Sequence, residues 1–511
     1  MRERKRTIVT ILPALWLAGC ATSALELAPD RPDRPWTPAT TETGEIIAGA
    51  VPSARIAPAT YVLPSNSEVA KLPPALAIDP KRLYTLPQLI DIAESNNPTT
   101  RIAWNAARNV ALAEGVAESS FLPQLTASAI TGRQVSSGQT GIQGLGLGLS
   151  QPSANGTISV LSFEWLLFDF GERAAIVEAA KQATVISNIA FTAAHQQVIY
   201  DVSTAFYADA AARARVGTAT QSLKNARNVL AAAEDRYGHG IGTVVEVAQA
   251  HQANAQARLL LVQTEGAAKD AYLKLISAIG ISPLTQIKIA DVSGRRLVFP
   301  MYGSVERIIN EGLARRPDIL SAYAAQKASI ANTQAAQSAF MPKVFVAGNA
   351  AHSSGNLGLT AVPSIGSQSP TVNVAGGHDS GTILAGVTMP LYDGGTRLAA
   401  LKQAEAKADS ADLTLLRTKN EAVRQIVLSD NTLRTSLSSY TASTALASAA
   451  QTTFDAALSA YRNGVGSITD ATVAETQLLQ ARNSRADAHS AVLSAAATLA
   501  LTVGALGEAP Q

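Results

Sequence analysis

Side chains able to do chemistry are few and scattered in this sequence. Its six histidines, His195, His239, His251, His352, His378 and His489, show no spacing of the His-x-x-x-His kind that sets two imidazoles on one helix face for a metal ion. The Ser-Gly and Gly-Leu-Gly runs up to residue 149 lack the strand-then-helix setting of a phosphate-binding loop. No nucleophile comes with a base and an orienting group, so the sequence predicts no enzyme, no cofactor and no metal site. Cys20 is different. It is the only cysteine, and it follows Arg2-Glu3-Arg4-Lys5-Arg6, an apolar run from Thr7 to Ala18, and Leu17-Ala18-Gly19. A basic region, an apolar region and small residues before the cut make a bacterial secretory signal. Ending on a thiol, it reads as a lipobox, with residues 1–19 a lipoprotein signal peptide and Cys20 the lipid attachment residue. The alternative is an ordinary signal peptide with a chance cysteine.

Removing residues 1–19 takes four basic residues and one acidic one, leaving 37 against 38 and moving the net charge from +2 to −1. No run of Lys or Arg survives, which excludes nucleic acid as an expected partner. Nor does the mature chain show an apolar run of 18 or more residues that would cross a membrane as a helix.

Two acids stand out by their setting. Glu246 closes the stretch Tyr237-Gly238-His239-Gly240-Ile241-Gly242-Thr243-Val244-Val245, and Asp470 closes a matching stretch in the second half of the chain, Tyr461-Arg462-Asn463-Gly464-Val465-Gly466-Ser467-Ile468-Thr469. Glycine accepts the positive φ that ends a helix, and Thr243 or Ser467 with the acid three residues on forms a capping box. Each stretch therefore reads as helix, tight turn, helix.

The elements that position these turns follow from the same periodicity. Residues 172–237 contain no proline and one glycine, Gly217, and residues 396–463 contain neither. At about 1.5 Å per residue these are helices of about 100 Å, too long for a compact domain. Small apolar residues at three- and four-residue spacing, such as Leu413, Leu416, Val423, Ile426 and Val427, or Val177, Ala180, Thr184 and Ser187, mark the expected packing seams. Helices of about 37 residues return after the turns, Thr243–Ile279 and Ser467–Val503, and helices of about 22 residues start at Pro98 and Pro317. The short and returning helices are expected to stack end to end along one face of the long helix.

Alternating runs lie between, Gln124–Gly132 and Thr157–Phe168, then Lys343–Ala350 and Thr382–Leu391. At about 9–12 residues they suit tilted membrane strands. Their connectors, Ser136–Gly156 and Ser353–Gly381, read as outward loops. Landmarks paired at a nearly constant offset, Asn97-Pro98 with Arg316-Pro317 and Phe121-Leu122-Pro123 with Phe340-Met341-Pro342, make the chain an internal repeat. Four strands cannot close a barrel, and an open sheet edge in lipid leaves backbone groups unpaired, so other copies must complete it. Three copies supply twelve strands.

Leu167-Phe168-Asp169-Phe170-Gly171, Leu391-Tyr392-Asp393-Gly394-Gly395, the two Tyr-x-x-Gly turns and the lipobox at Cys20 resemble the TolC-like outer-membrane efflux proteins, in particular the lipidated branch serving resistance-nodulation-division pumps. The resemblance covers about 85–505. It implies a mainly α protein with membrane β structure: a trimeric 12-stranded β-barrel continuous with a 12-helix α-barrel tunnel, with an internal two-fold repeat. The segments are 1–19 signal peptide, 20–84 lipidated Pro-rich tether, 85–281 first repeat, 282–302 connector in an equatorial belt, 303–505 second repeat and 506–511 tail. Expected partners are a homotrimer, a periplasmic adaptor protein, an inner-membrane pump and outer-membrane lipid, in the outer membrane of a Gram-negative bacterium. The turns, through Tyr237, Gly240, Gly242, Thr243, Tyr461, Gly464, Gly466 and Ser467, become the periplasmic tip where the adaptor docks. Asp470 matches an acid lining the pore entrance, with Glu246 as the second candidate; Val473 stands where the family has a second aspartate. Both acids also fit plain helix capping, and both tyrosines fit plain packing. The function implied is passive export of small molecules or drugs. The alternatives are a type I protein secretion duct and, from a different class, a periplasmic coiled-coil structural lipoprotein.

Overall fold

The computed structural model describes residues 28, 32–33, 36, 38–47, 61–71, 76, 78–135, 153–292, 294, 297, 304–355, 359–362, 371–374 and 379–507. Cys20, residues 1–19, most of the tether and the loop 136–152 lie outside them. The chain divides into two compact units, Met1–Ala77 and Ile78–Gln511. In the first, β1 (Ala39–Thr40) pairs antiparallel with β2 (Ile46–Ile47), a small hairpin where the prolines predicted only extended chain.

The second unit runs β3 (Leu83–Tyr84), α1 (Leu86–Asn96), α2 (Pro98–Ser119), β4 (Gln124–Val135), β5 (Ser153–Phe168), α3 (Glu172–Gly238), α4 (Val244–Ile279) and β6 (Lys288–Ile289). It continues with α5 (Val305–Arg315), α6 (Pro317–Ser338), β7 (Lys343–Gly355), β8 (Leu359–Val362), β9 (Thr371–Val374), β10 (Asp379–Thr388), α7 (Thr396–Arg462) and α8 (Ile468–Val503). Helices of 11, 22, 67 and 36 residues occur in that order in both halves. The 11-residue pair was not expected. This unit begins at Ile78; β3 pairs with β6, and Ile78 and Tyr84 join an apolar cluster with Leu89, Phe206, Leu275 and Ile279.

Four helical columns form a wall. The long α3 packs on α2 and α4 on one side and on α6 and α8 on the other, while α7 packs on α6 and α8. The split columns do stack end to end. Asn97, the N-cap of α2, donates to Ala278 O of α4 at 3.1 Å, and Arg316 ahead of α6 donates to Thr502 O of α8 at 2.8 Å. The buried register of α7 is Leu415, Ala422, Ile426 and Leu433, whereas Leu413 and Leu416 are exposed. Of the expected seam, Ile426 is thus buried as expected and only Leu413 and Leu416 are exposed, since among the described residues α7 has a column on one side only. Contrary to expectation, α8 holds an 18-residue window of mean hydropathy 1.3, long and apolar enough by composition to cross a membrane. Its alanines raise that value, and the helix packs on α7 and α3.

The strands form one sheet in the order β10-β7-β5-β4, all antiparallel neighbours. They outrun the expected ranges at the loop ends, and β8 and β9 form a hairpin inside the expected loop 353–381. At the other end β10 stops at Thr388, not Leu391, since its partner β7 begins at Lys343, just after Pro342. Prolines at 342 and 390 cannot donate to the ladder. Leu125, Leu161, Trp165, Ile383 and Val387 share one face and are exposed, while Ile158, Val160 and Ala351 on the other are buried.

Each strand exit turns into a long helix through the same device. Asp169 accepts from the Gly171 and Arg173 amides and pairs with the Arg173 guanidinium at 2.8 Å; Asp393 does the same with Gly395 and Arg397 at 2.7 Å. Arg173 also lies over the Phe121 ring and Arg397 over Phe340. The repeated Phe-x-Pro and Asp-x-Gly landmarks are therefore two halves of one contact.

Candidate functional site

Both turns obey one backbone plan. In the first, Gly240 N donates to Tyr237 O, and Ile241 N and Gly242 N both donate to Arg236 O at 3.0 Å. In the second, Gly464 N donates to Tyr461 O, and Val465 N and Gly466 N to Ala460 O. The two glycines of each turn are needed for different reasons. Gly240 and Gly464 have φ of 75° and 80°, where a side chain is disfavoured. Gly242 and Gly466 have ordinary φ, but a Cβ there would sit 2.8 Å from Tyr237 N or 3.0 Å from Ala460 Cβ.

The next helices start in full capping boxes. Thr243 Oγ1 accepts from Glu246 N at 3.2 Å and Glu246 Oε2 accepts from Thr243 N at 3.2 Å. Ser467 Oγ accepts from Asp470 N at 3.1 Å, and Asp470 Oδ2 accepts from Ser467 N at 3.3 Å and from Ser467 Oγ at 2.7 Å. These bonds from Ser467 hold the exposed Asp470 carboxyl below its ordinary range. Capping is thus satisfied at both acids, and Asp470 remains ionised and open to solvent.

The turns lie side by side, joined by an apolar cluster of Val229, Ala233 and Ala250 with Phe454, Leu458, Tyr461, Ile468 and Leu478. The tyrosines are not equivalent. Tyr461 is fully buried, while Tyr237 is half exposed. Burial, with the Glu246 carboxylate nearby, pushes the Tyr461 phenol up against the pull of Arg236. Its hydroxyl has no hydrogen-bond partner among the described residues.

Three side chains at this end were not singled out by sequence. Arg236 donates through Nη1 to Tyr461 O at 3.1 Å and through Nη2 to Ile241 O at 3.3 Å, with its guanidinium over the Tyr461 ring. Ser222 on α3 donates to Glu475 on α8 at 2.5 Å. Burial pushes the Glu475 carboxyl up, against that bond and the charge of Arg482. The signal for all three was a break in the repeat, since the equivalent positions of the other half hold Ala460, Leu446 and His251 instead. An open groove of about 680 Å³ between α4 and α8 is lined by Gln252, Gln256, Thr472, Val473 and Glu475 among others. Val473 lies on that groove. Cys20 is outside the described residues.

A family model described as outer membrane efflux protein matches residues 89–281 and again 308–505. Protein CyaE of Bordetella pertussis is 26% identical over 413 residues, 80% of this chain and 81% of its own. The pyoverdine export outer membrane protein OpmQ of Pseudomonas aeruginosa is 27% identical over 259 residues, 51% of this chain and 54% of its own. The crystal structure of the outer membrane protein VceC from Vibrio cholerae superposes with a TM-score of 0.68 at 20% identity, covering 82% of this chain and 96% of that one.

Proposed function

The chain belongs to the outer membrane efflux protein family and is an outer-membrane channel of tripartite efflux, and we propose that it works as a homotrimer whose sheets close one 12-stranded barrel and whose columns close one 12-helix tunnel. The observation that carries this reading is that both layers end in open edges. Among the described residues the sheet leaves β10 and β4 unpaired on their outer sides, a state that lipid does not tolerate. The wall likewise ends in α7 on one side and in α2 and α4 on the other. Both edges are apolar: Leu398, Leu413, Leu428 and Leu446 on α7, Ile102, Leu112 and Val116 on α2, and Leu259 and Val262 on α4 are exposed. Duplication of one helix-strand-strand-helix unit accounts for the matched lengths, and the exposed apolar sheet face supplies the lipid surface.

In this reading Cys20 carries lipid in the outer membrane and the two turns form the periplasmic tip. A periplasmic adaptor docks there, linking the duct to an inner-membrane pump. A relative named for pyoverdine export supports small molecules as cargo. Three Asp470 carboxylates ring the entrance and favour cations, with Glu246 held mainly as a cap. Detergent extraction and sizing test the assembly: a heat-modifiable trimer is expected, and a soluble monomer would refute it. Single-channel recording tests the ring. Asp470→Asn is expected to weaken blockade by multivalent cations, and unchanged conductance and blockade would remove Asp470 from the pore.

A further inference from the structure

We propose that the groove between α4 and α8 is a binding site for a small amphipathic organic cation, with Glu475 as the residue that takes its charge. The site lies within one chain; that its ligand is cargo in transit rests on the channel reading above. The groove measures about 680 Å³, within the range of about 300–1,000 Å³ that small organic ligands fill. Among the described residues that line it, Glu475 is the one charged side chain, and no Lys, Arg or His is present. Only Oε1 of that carboxylate carries a hydrogen bond among the described residues, from Ser222, which leaves Oε2 to accept from an ammonium or amino group. Arg482 is the cation that acts on Glu475 within the chain, and its Nη2 is committed to Gln451. Burial pushes the Glu475 carboxyl up, and a cation seated beside it offsets that penalty on the ionised form.

The walls fit the rest of such a ligand. Gln252 and Gln256 on α4, and Thr472 and Thr476 on α8, line the groove. Their four-residue spacing sets each pair on one helix face, and their amides and hydroxyls both donate and accept, so they suit polar substituents of either kind. Leu259, Leu260 and Leu479 add apolar surface for the body of the molecule. The duplication supplies no second copy. At the repeat-equivalent position of Glu475 stands His251, with its Nε2 3.6 Å from Glu234, and at that of Thr472 stands Ala248. Each chain therefore carries one such groove with a carboxylate among its described residues.

The test is titration of ethidium, a planar organic cation, with the full-length protein in detergent, followed by fluorescence anisotropy, with neutral N-phenylnaphthylamine as the comparison probe. Losing a hydrogen bond to a charged group is about tenfold or more in affinity, so Glu475→Gln is expected to weaken ethidium binding at least that much and to leave the neutral probe unchanged. Glu265→Gln removes an exposed acid of α4 outside the groove and should bind ethidium as wild type does. Unchanged ethidium affinity in Glu475→Gln, an equal loss in Glu265→Gln, or an equal loss for the neutral probe overturns the site. If Glu475→Gln does not assemble, Gln252→Lys on the exposed wall carries the test: it puts a cation in the groove and should abolish ethidium binding, and wild-type affinity there overturns the site. Protein that conducts without binding ethidium loses this site and keeps the channel; protein that binds ethidium without ever conducting keeps the site and loses the channel reading.

Discussion

Deleting the Ser222 hydroxyl isolates one contact of the seam between α3 and α8. Ser222 is buried and its Oγ donates to Glu475 Oε1 at 2.5 Å, while Arg482, which also favours the ion, commits its Nη2 to Gln451. A hydrogen bond to a charged group contributes about 1.5–3 kcal/mol and a neutral one about 1 kcal/mol. Ser222→Ala should cost about 1.5 kcal/mol per chain near neutrality, at the low end because the groove opens Glu475 to solvent. In a Glu475→Gln background the acceptor survives without the charge, and the same deletion should cost about 1 kcal/mol or less. Burial raises the folded-state pKa of Glu475 above its ordinary 4.5. The folded chain thus prefers the protonated acid: the contribution is fully favourable below 4.5 and is lost as pH rises through the folded value. The Ser222→Ala penalty accordingly shrinks toward pH 4.5, and Glu475→Gln gains on wild type near neutrality. Hydrogen exchange of the α8 amides around Glu475 reads local opening, in which about 1.4 kcal/mol is tenfold. Unchanged protection in Ser222→Ala, or an equal loss in the Glu475→Gln background, would show that this contact does not hold α8.

Gly240→Ala and Gly464→Ala each force a Cβ into left-handed backbone, at roughly 1–2 kcal/mol per chain, and should lower the melting temperature followed by helical circular dichroism. Gly464→Ala should lower it further, since only there does the new Cβ meet the guanidinium; equal shifts would count against that contact. Tyr461→Phe should melt no lower than wild type, because the hydroxyl it removes is buried without a partner. Tyr461→Ala should lose about 3–5 kcal/mol, and a clearly destabilised Phe variant would mean that the hydroxyl is bonded after all.

The helices were legible because their length and punctuation are local properties. Pro98 and Pro317 start helices, an absence of proline sustains α3 and α7, and Gly240 and Gly464 stop them, each through the backbone of a few residues. The capping boxes at Glu246 and Asp470 were legible for the same reason. Leu413 and Leu416 were assigned to a seam from spacing alone, but spacing gives a face without saying whether the chain itself covers it. The end of β10 was overrun because alternation continues through Met389 and Leu391 while the limit comes from Pro342, across the sheet. Arg236, Ser222 and Glu475 carry no local signature at all; each acts on a residue far away in the sequence.

Those three residues also set the contacts of α3 apart from the repeat-equivalent positions of the other half. Helix α3 is flanked on both sides within one chain, and its contacts with the second half carry polar ties: Arg236 to Tyr461 O at the end of α7, then along α8 Ser222 to Glu475 and Arg215 to Asp487 at 2.7 Å. At the repeat-equivalent positions stand Ala460, Leu446 and Ser439 on α7, and His251 and Gln263 on α4 in place of Glu475 and Asp487. In the proposed trimer the repeat's register brings α7 of one copy against α4 of the next, so Leu446 comes opposite His251 where Ser222 meets Glu475 inside the chain. In that arrangement the charged pairs found within a copy have no counterpart between copies at these positions. Salt screens exposed charges such as Arg215 and Asp487 and leaves apolar burial in place. High salt is therefore expected to weaken the α3–α8 ties before any apolar contact.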